Sequence, residues 1–189
     1  MCAMELVAYL AGEVHSDRPH CACPVLAEAA RVLNDLIDND ADRTRIMRPV
    51  AEALVGSRRD AATAQRRAYR LADFAVRVAA PAALDAAGRA ENAAQLRAVS
   101  PIVDPDTART ACDAAYAYAY AATAATAATA ATDVAAINAA IAATYATNAT
   151  DVAAINAAIA AINAAIAANA AGMRKELASL IIELAKEET

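Results

Sequence analysis

Residues 126–143 read TAATAATDVAAINAAIAA and residues 144–161 read TYATNATDVAAINAAIAA, and the two copies differ only at positions 127/145 and 130/148. An 18-residue unit makes five turns of α-helix at about 3.6 residues per turn, so each copy presents the same face as the one before it. Val134, Ile137 and Ile141 in the first copy, and Val152, Ile155 and Ile159 in the second, keep 3-4 spacing, and Ile162 and Ile166 extend the run. That spacing is the packing seam of a coiled coil or bundle, and the alanines beside it let helices approach closely. Asn138, Asn156 and Asn163 each follow a seam isoleucine. They read as solvated edge positions, with register-fixing pairs across helices as the alternative. The repeat predicts an all-α chain that wants a helical partner.

Outward from the repeat, composition changes twice. Residues 1–110 are diverse and use arginine without lysine. Residues 111–171 are more than half alanine, charged only at Asp113, Asp133 and Asp151, and residues 172–189 carry both lysines, Lys175 and Lys186. Three regimes point to recombination, repeat expansion or an artificial origin. They divide the chain into an N-terminal helical bundle (1–104), Ala-rich repeat helices (105–171) and a C-terminal amphipathic helix (172–189). The repeat helices pack as a bundle or as a coiled-coil-like hairpin. A break near Thr144–Asp151 is favoured over one long helix, because folding back buries both stripes.

Punctuation places the N-terminal elements. A helix over 3–11 faces Leu6, Val7 and Leu10 inward and ends at Gly12. Pro24 sits in the first turn of a helix to about Ile37, with Val25, Leu26, Ala29, Val32, Leu33, Leu36 and Ile37 as its apolar stripe. The polar stretch Asn34–Arg43 reads as a connector. A helix carrying Ile46, Met47, Val50 and Leu54 is kinked or restarted at Pro49 and stopped at Gly56. A longer one runs from Asp60 to Ala80 with Leu71, Phe74, Ala75 and Val78 inward. Pro81 kinks or restarts it, and Gly88 closes the segment. A short helix over Glu91–Val99 follows, and Asp104-Pro105 starts the next.

The balance of 17 basic and 22 acidic residues gives a net charge of −5, which argues against a wholly basic nucleic-acid-binding surface. Four scattered cysteines do not make a disulfide scaffold, and the N-terminus lacks the basic region of a signal peptide. A reduced, cytoplasmic protein is the expectation. Val152–Ala171 is uncharged over 20 residues, but Asn156, Asn163 and Asn169 are costly in lipid, so no membrane span is expected. The Thr-rich run at 121–132 is not an ice-binding array. No two threonines in 123–150 are 11 residues apart, and a spacing of three rotates about 60° per step.

Two groups of residues could carry chemistry. His15, His20, Cys21 and Cys23 are imidazole and thiolate ligands of the kind zinc takes, but their spacing fits no zinc module, and the expectation is no metal and no cofactor. Arg59, Arg66, Arg70 and Arg77, spaced 7, 4 and 7, fall on one helix face flanked by Arg58 and Arg67. Such a strip could hold an acidic partner or phosphates. There is no Gly-rich phosphate loop, no G-x-S-x-G and no H-E-x-x-H, so no enzyme is expected.

Gly12, Glu13, Ser16, Asp17, Pro19 and Cys21 form the pattern AGE-x-x-SD-x-P-x-C, followed by Pro24 and the pair Asn34-Asp35. On these residues the first 100 or so positions resemble an uncharacterised group of helical proteins from high-GC bacteria, a resemblance that implies helical architecture and no activity. The Ala-rich half departs from that pattern. By elimination, the sequence reads as a non-enzymatic protein-binding or self-associating chain. A blocking factor of the antitoxin, immunity or anti-CRISPR kind would suit it, and nucleic-acid or phosphate binding through the arginine strip is the alternative.

Overall fold

A computed structural model describes residues 3–86, 89–111, 113–114 and 170–187, and every regular element among them is helical. The seam residues Val134 to Ile166, the break near 144–151 and Gly88 lie outside the described residues. The chain divides into two compact units, Met1–Arg67 with Arg174–Thr189 and Ala68–Met173. The first is therefore assembled from both ends of the sequence.

In the first unit α1 (Ala3–Ala11), α2 (Pro24–Asp35) and α3 (Asp40–Leu54) pack on one another. Gly12 closes α1 at φ +69° and Gly56 follows α3 at φ +70°, a region that side chains with a Cβ rarely adopt. Val25, Leu26, Ala29, Leu33 and Ile37 are buried on or just past α2, as its stripe predicts, whereas Val32 and Leu36 are half-buried.

Two expectations need correction here. On α1 the inward face is Ala3, Met4, Val7 and Ala8, and Leu10 is 46% exposed. Alanine at positions 3 and 8 lets α1 sit close, so the helix is rotated toward its small residues and turns Leu10 out. The connector before α3 is also shorter than expected. The Asn39 side chain accepts from the N–H groups of Ala41 (2.9 Å) and Asp42 (3.0 Å), capping a helix that begins at Asp40. Pro49 lies inside that helix on its exposed side, where water can take the carbonyl that the missing N–H leaves unpaired.

The C-terminal helix α7 (Ala170–Lys186) contributes Leu177, Ile181 and Leu184, all nearly inaccessible to solvent. Their spacing of four and three is the amphipathic pattern of its sequence. Asp42 lies near enough to Arg174 and Lys175 to feel both charges, which places these two residues of the first unit in the neighbourhood of α3.

The boundary between the units falls within α4 (Ala61–Phe74). In the second unit α4 runs into a wider π-helical turn, Ala75–Ala79, and then α5 (Ala80–Ala86). Ala80 N–H bonds to Ala75 O, five residues back. The wide turn sits just ahead of Pro81, whose ring in a regular helix would press on the carbonyl four residues earlier. The extra residue moves the buried face from Leu71 and Ala75 to Val76, Ala79 and Ala80, and it leaves Val78, expected inward, 38% exposed. α6 (Ala90–Arg97) packs on α5 and the wide turn. Asp104 and Thr107 then cap a helical stretch at 105–111, with Thr107 N–H donating to Asp104 Oδ1 (2.8 Å) and Asp104 N–H to Thr107 Oγ1 (3.1 Å).

Leu33→Ala in the first core is expected to cost about 2–5 kcal/mol, whereas Leu10→Ala stays within about 0.5 kcal/mol. Urea melts of the two variants check the orientation of α1, since equal losses would place Leu10 in the core.

Candidate functional site

After Gly12 the chain runs without regular structure to Cys23, and the backbone polar groups there need partners. Glu13 supplies two of them. Its carboxylate accepts from His20 N–H (2.6 Å) and Cys21 N–H (2.7 Å). The bond from His20 chiefly, with help from Cys21, holds the Glu13 carboxyl below its ordinary pKa against an opposing effect of desolvation.

The far end of this loop is fastened to the turn after α3. Arg58 N–H donates to Cys21 O (2.9 Å), and Cys23 N–H donates to Ser57 Oγ (3.0 Å). Arg58 Nη1 donates to His20 O (3.3 Å), and Arg67 Nη1 to Ser57 O (2.6 Å).

Each metal-ligand candidate has its place in this arrangement. His15 lies 3.4 Å from Glu5 and is largely exposed. His20 is exposed as well and fastens the loop through its backbone. Cys21 is half-buried, and desolvation pushes its thiol pKa up, opposed by a bond from the Gly56 backbone and reinforced by Glu13. Cys23 is buried. Among the described residues no three His, Cys, Asp or Glu side chains gather in a set that could hold a metal ion.

The arginine strip does not form as one helix face. Arg59 precedes α4, in the turn, and donates to the carbonyls of Gly56 and Arg58. Arg66 and Arg70 remain one turn apart on the exposed side of α4. Arg77 lies in the wide turn and is half-buried against Asp73 (3.2 and 3.3 Å), whose carboxylate also accepts from Ile102 N–H (2.9 Å). That makes Arg77 part of the second unit's internal packing.

The flanking residue is the unexpected one. Arg67 is completely buried, and among the described residues its Nε and Nη2 have no hydrogen-bond partner. The sequence held a signal for this, because Thr63, Arg67 and Leu71 recur at four-residue spacing and all three are buried.

On the other side of α1, Leu6, Tyr9 and Leu10 and, from α3, Thr44, Met47 and Arg48 line a cavity of about 410 Å³, together with the polar residues Asn34, Arg43 and Glu52. Tyr9 is 72% exposed, and Val14, beyond the end of α1, is 87% exposed. Arg43 and Arg48 are tied to Asp40 and Glu52 on their own helix. The result is an open trough between two helices, lined by apolar and polar groups. The chain matches no family model, no curated protein and no solved structure.

Two measurements probe the fastened loop. Because the Glu13 pKa is lowered on folding, its contribution to stability is fully present above the usual carboxylate range. It is lost as the pH falls below about 4.3. Glu13→Gln is therefore expected to flatten part of the acid limb of a stability–pH profile, and superimposable profiles would remove Glu13 from the loop's anchorage. Arg67→Met is expected to change stability far less than Leu33→Ala, because relief of the buried guanidinium is offset by the Ser57 carbonyl left unpaired. A urea midpoint that falls as far as that of Leu33→Ala would contradict this.

Proposed function

We propose that the protein is a non-enzymatic binding module that seats an amphipathic helix of a partner protein in the trough between α1 and α3, and that it acts by covering that partner's surface. The reading is supported by one observation above all. Tyr9 and Leu10, large apolar side chains on the first helix, stand exposed beside a 410 Å³ cavity rather than in the core. Exposed aliphatic and aromatic groups around a concavity are what an incoming helix covers with residues at i, i+3, i+4 and i+7. Tyrosine is enriched among the side chains that dominate binding energy. The polar residues of its lining, Asn34, Arg43 and Glu52, suit the rim of a protein interface. The arginine strip supports the nucleic-acid alternative less, because Arg77 is tied to Asp73 and Arg59 lies off the helix.

Panning a library of displayed helical peptides against the full chain tests the reading. Enriched peptides are expected to carry apolar residues at helical spacing. They should lose affinity at least about tenfold, or about 1.4 kcal/mol, against the double variant Tyr9→Ser/Leu10→Ser. Both residues are exposed, so circular dichroism of the variant should match the parent chain. Affinity that survives the double substitution sinks the proposal. A parent chain that sediments as a dimer while the variant is a monomer would put a second copy in the trough and overturn the partner reading.

A further inference from the structure

Among the described residues two sets of arginines contrast. Arg31, Arg43, Arg45, Arg48, Arg77, Arg97 and Arg109 each hold a carboxylate. Arg18, Arg58, Arg59 and Arg66 do not. Among the described residues they make backbone or hydroxyl hydrogen bonds only, Arg18 through its own N–H to Ser16 and the other three through their guanidinium groups.

These four gather around one feature, the turn at 56–60 and the loop sewn to it. Arg58 is bonded to His20 and Cys21, two and three residues beyond Arg18. Arg59 lies against Gly56 and Arg58, and Arg66 reaches Thr63, whose N–H is capped by Asp60. Arg67, bonded to Ser57 O in the same turn, adds a fully buried charge whose Nε and Nη2 have no hydrogen-bond partner among the described residues.

The acids nearby offset part of this charge, since a carboxylate that accepts N–H bonds stays negative. Glu13 accepts from His20 and Cys21, and Asp60 accepts from Thr63 and feels the charge of Arg66, but among the described residues neither is in an ion pair with the four guanidinium groups. Asp17, exposed beside Arg18, is the remaining acid of the loop. A guanidinium has five N–H donors in a planar fork that matches a carboxylate bidentately. Arg58 and Arg66 each use a single guanidinium bond within the fold, which leaves most of that fork open.

We propose that the partner of this protein is acidic, and that Arg18, Arg58, Arg59 and Arg66 form a cationic docking patch that takes a run of carboxylates on a protein segment. The proposal rests on the partner-binding reading above and adds the partner's chemistry. A protein segment is favoured over a nucleic acid for two reasons. No Phe, Tyr or Trp occurs at 12–23 or 56–67 to stack on bases. The chain's net charge of −5 opposes a long polyanion once it extends past the patch.

The test uses the full chain and two probes, a short poly-glutamate peptide and a poly-dT strand of equal charge. Weak binding of the peptide is expected, falling about tenfold between about 20 and about 200 mM salt as the charges are screened. Arg58→Gln/Arg59→Gln should weaken it at least about fivefold, with a circular dichroism spectrum and urea midpoint close to the parent's, because the backbone bond from Arg58 N–H to Cys21 O that fastens the loop is kept. Tyr9→Ser/Leu10→Ser should bind poly-glutamate as the parent does, so the trough and the patch succeed or fail separately. No binding of the peptide, binding indifferent to the arginine substitutions, or tighter binding of poly-dT than of poly-glutamate would each overturn the proposal.

Discussion

The first unit depends on one requirement, that the N–H and C=O groups of a helix-free stretch between Gly12 and Pro24 be satisfied. A loop of that length has too few internal acceptors, and unpaired backbone groups that leave water cost as much as a lost hydrogen bond. The solution is to sew it from both sides. Glu13 takes the N–H groups of His20 and Cys21, and the turn after α3 takes Cys23 N–H on Ser57 and gives Arg58 N–H to Cys21. Once these bonds form, the end of α1, the start of α2 and the end of α3 are fixed relative to one another. The orientation of α1 follows, and with it the exposure of Tyr9 and Leu10.

Arg67 belongs to the same construction at a cost. A guanidinium with no solvent access and one hydrogen bond to Ser57 O is destabilising by itself. The bond it makes holds the carbonyl of the residue whose hydroxyl fastens Cys23. The buried arginine and the loop are thus joined through a single serine, with Ser57 buried between them. The positive charge of Arg67 has a further consequence, since in a medium of low dielectric constant it raises the potential felt at the turn above it.

Much of this architecture could be read from sequence, and the reasons for the exceptions are specific. Gly12, Pro24, Gly56 and the Asp104-Pro105 pair marked helix ends correctly, because each has one cheap backbone role. The helical face of α1 could not be read the same way. Ala3 and Ala8 count as apolar yet neutral in a periodicity argument, and they became the contact face because small residues permit the closest approach. The wide turn at Ala75–Ala79 escaped because a hydrophobic pattern assumes constant pitch. One inserted residue ahead of Pro81 reassigned Val78 and Arg77 together. The arginine strip rested on that same assumption and on Arg59 being helical. The loop's pairing with residues 57–58, which assembles the charged patch, spans a sequence separation of more than 30 residues, as in the bond from Cys23 to Ser57. No local pattern encodes such a contact.

What emerges is a division of labour within one unit. Apolar side chains are left exposed at the cavity between α1 and α3, and arginines outside any ion pair among the described residues stand where a loop and a turn are sewn together. The trough lies between helices, and the loop is held at Glu13, Cys21 and Cys23 by bonds to its surroundings. Association penalties are dominated by lost freedom, and a preformed surface of this kind avoids part of that cost. On the proposed reading the two surfaces would act at different stages of an encounter. Exposed arginines would influence approach over roughly a Debye length, about 8–10 Å at moderate salt, whereas Tyr9, Leu10 and the trough would act only on contact and set how long a complex lasts. The loop from Gly12 to Cys23 connects them, since Val14 follows directly on α1 and Arg18 lies four residues later. A partner able to use both surfaces would be one whose acidic residues adjoin an amphipathic helix.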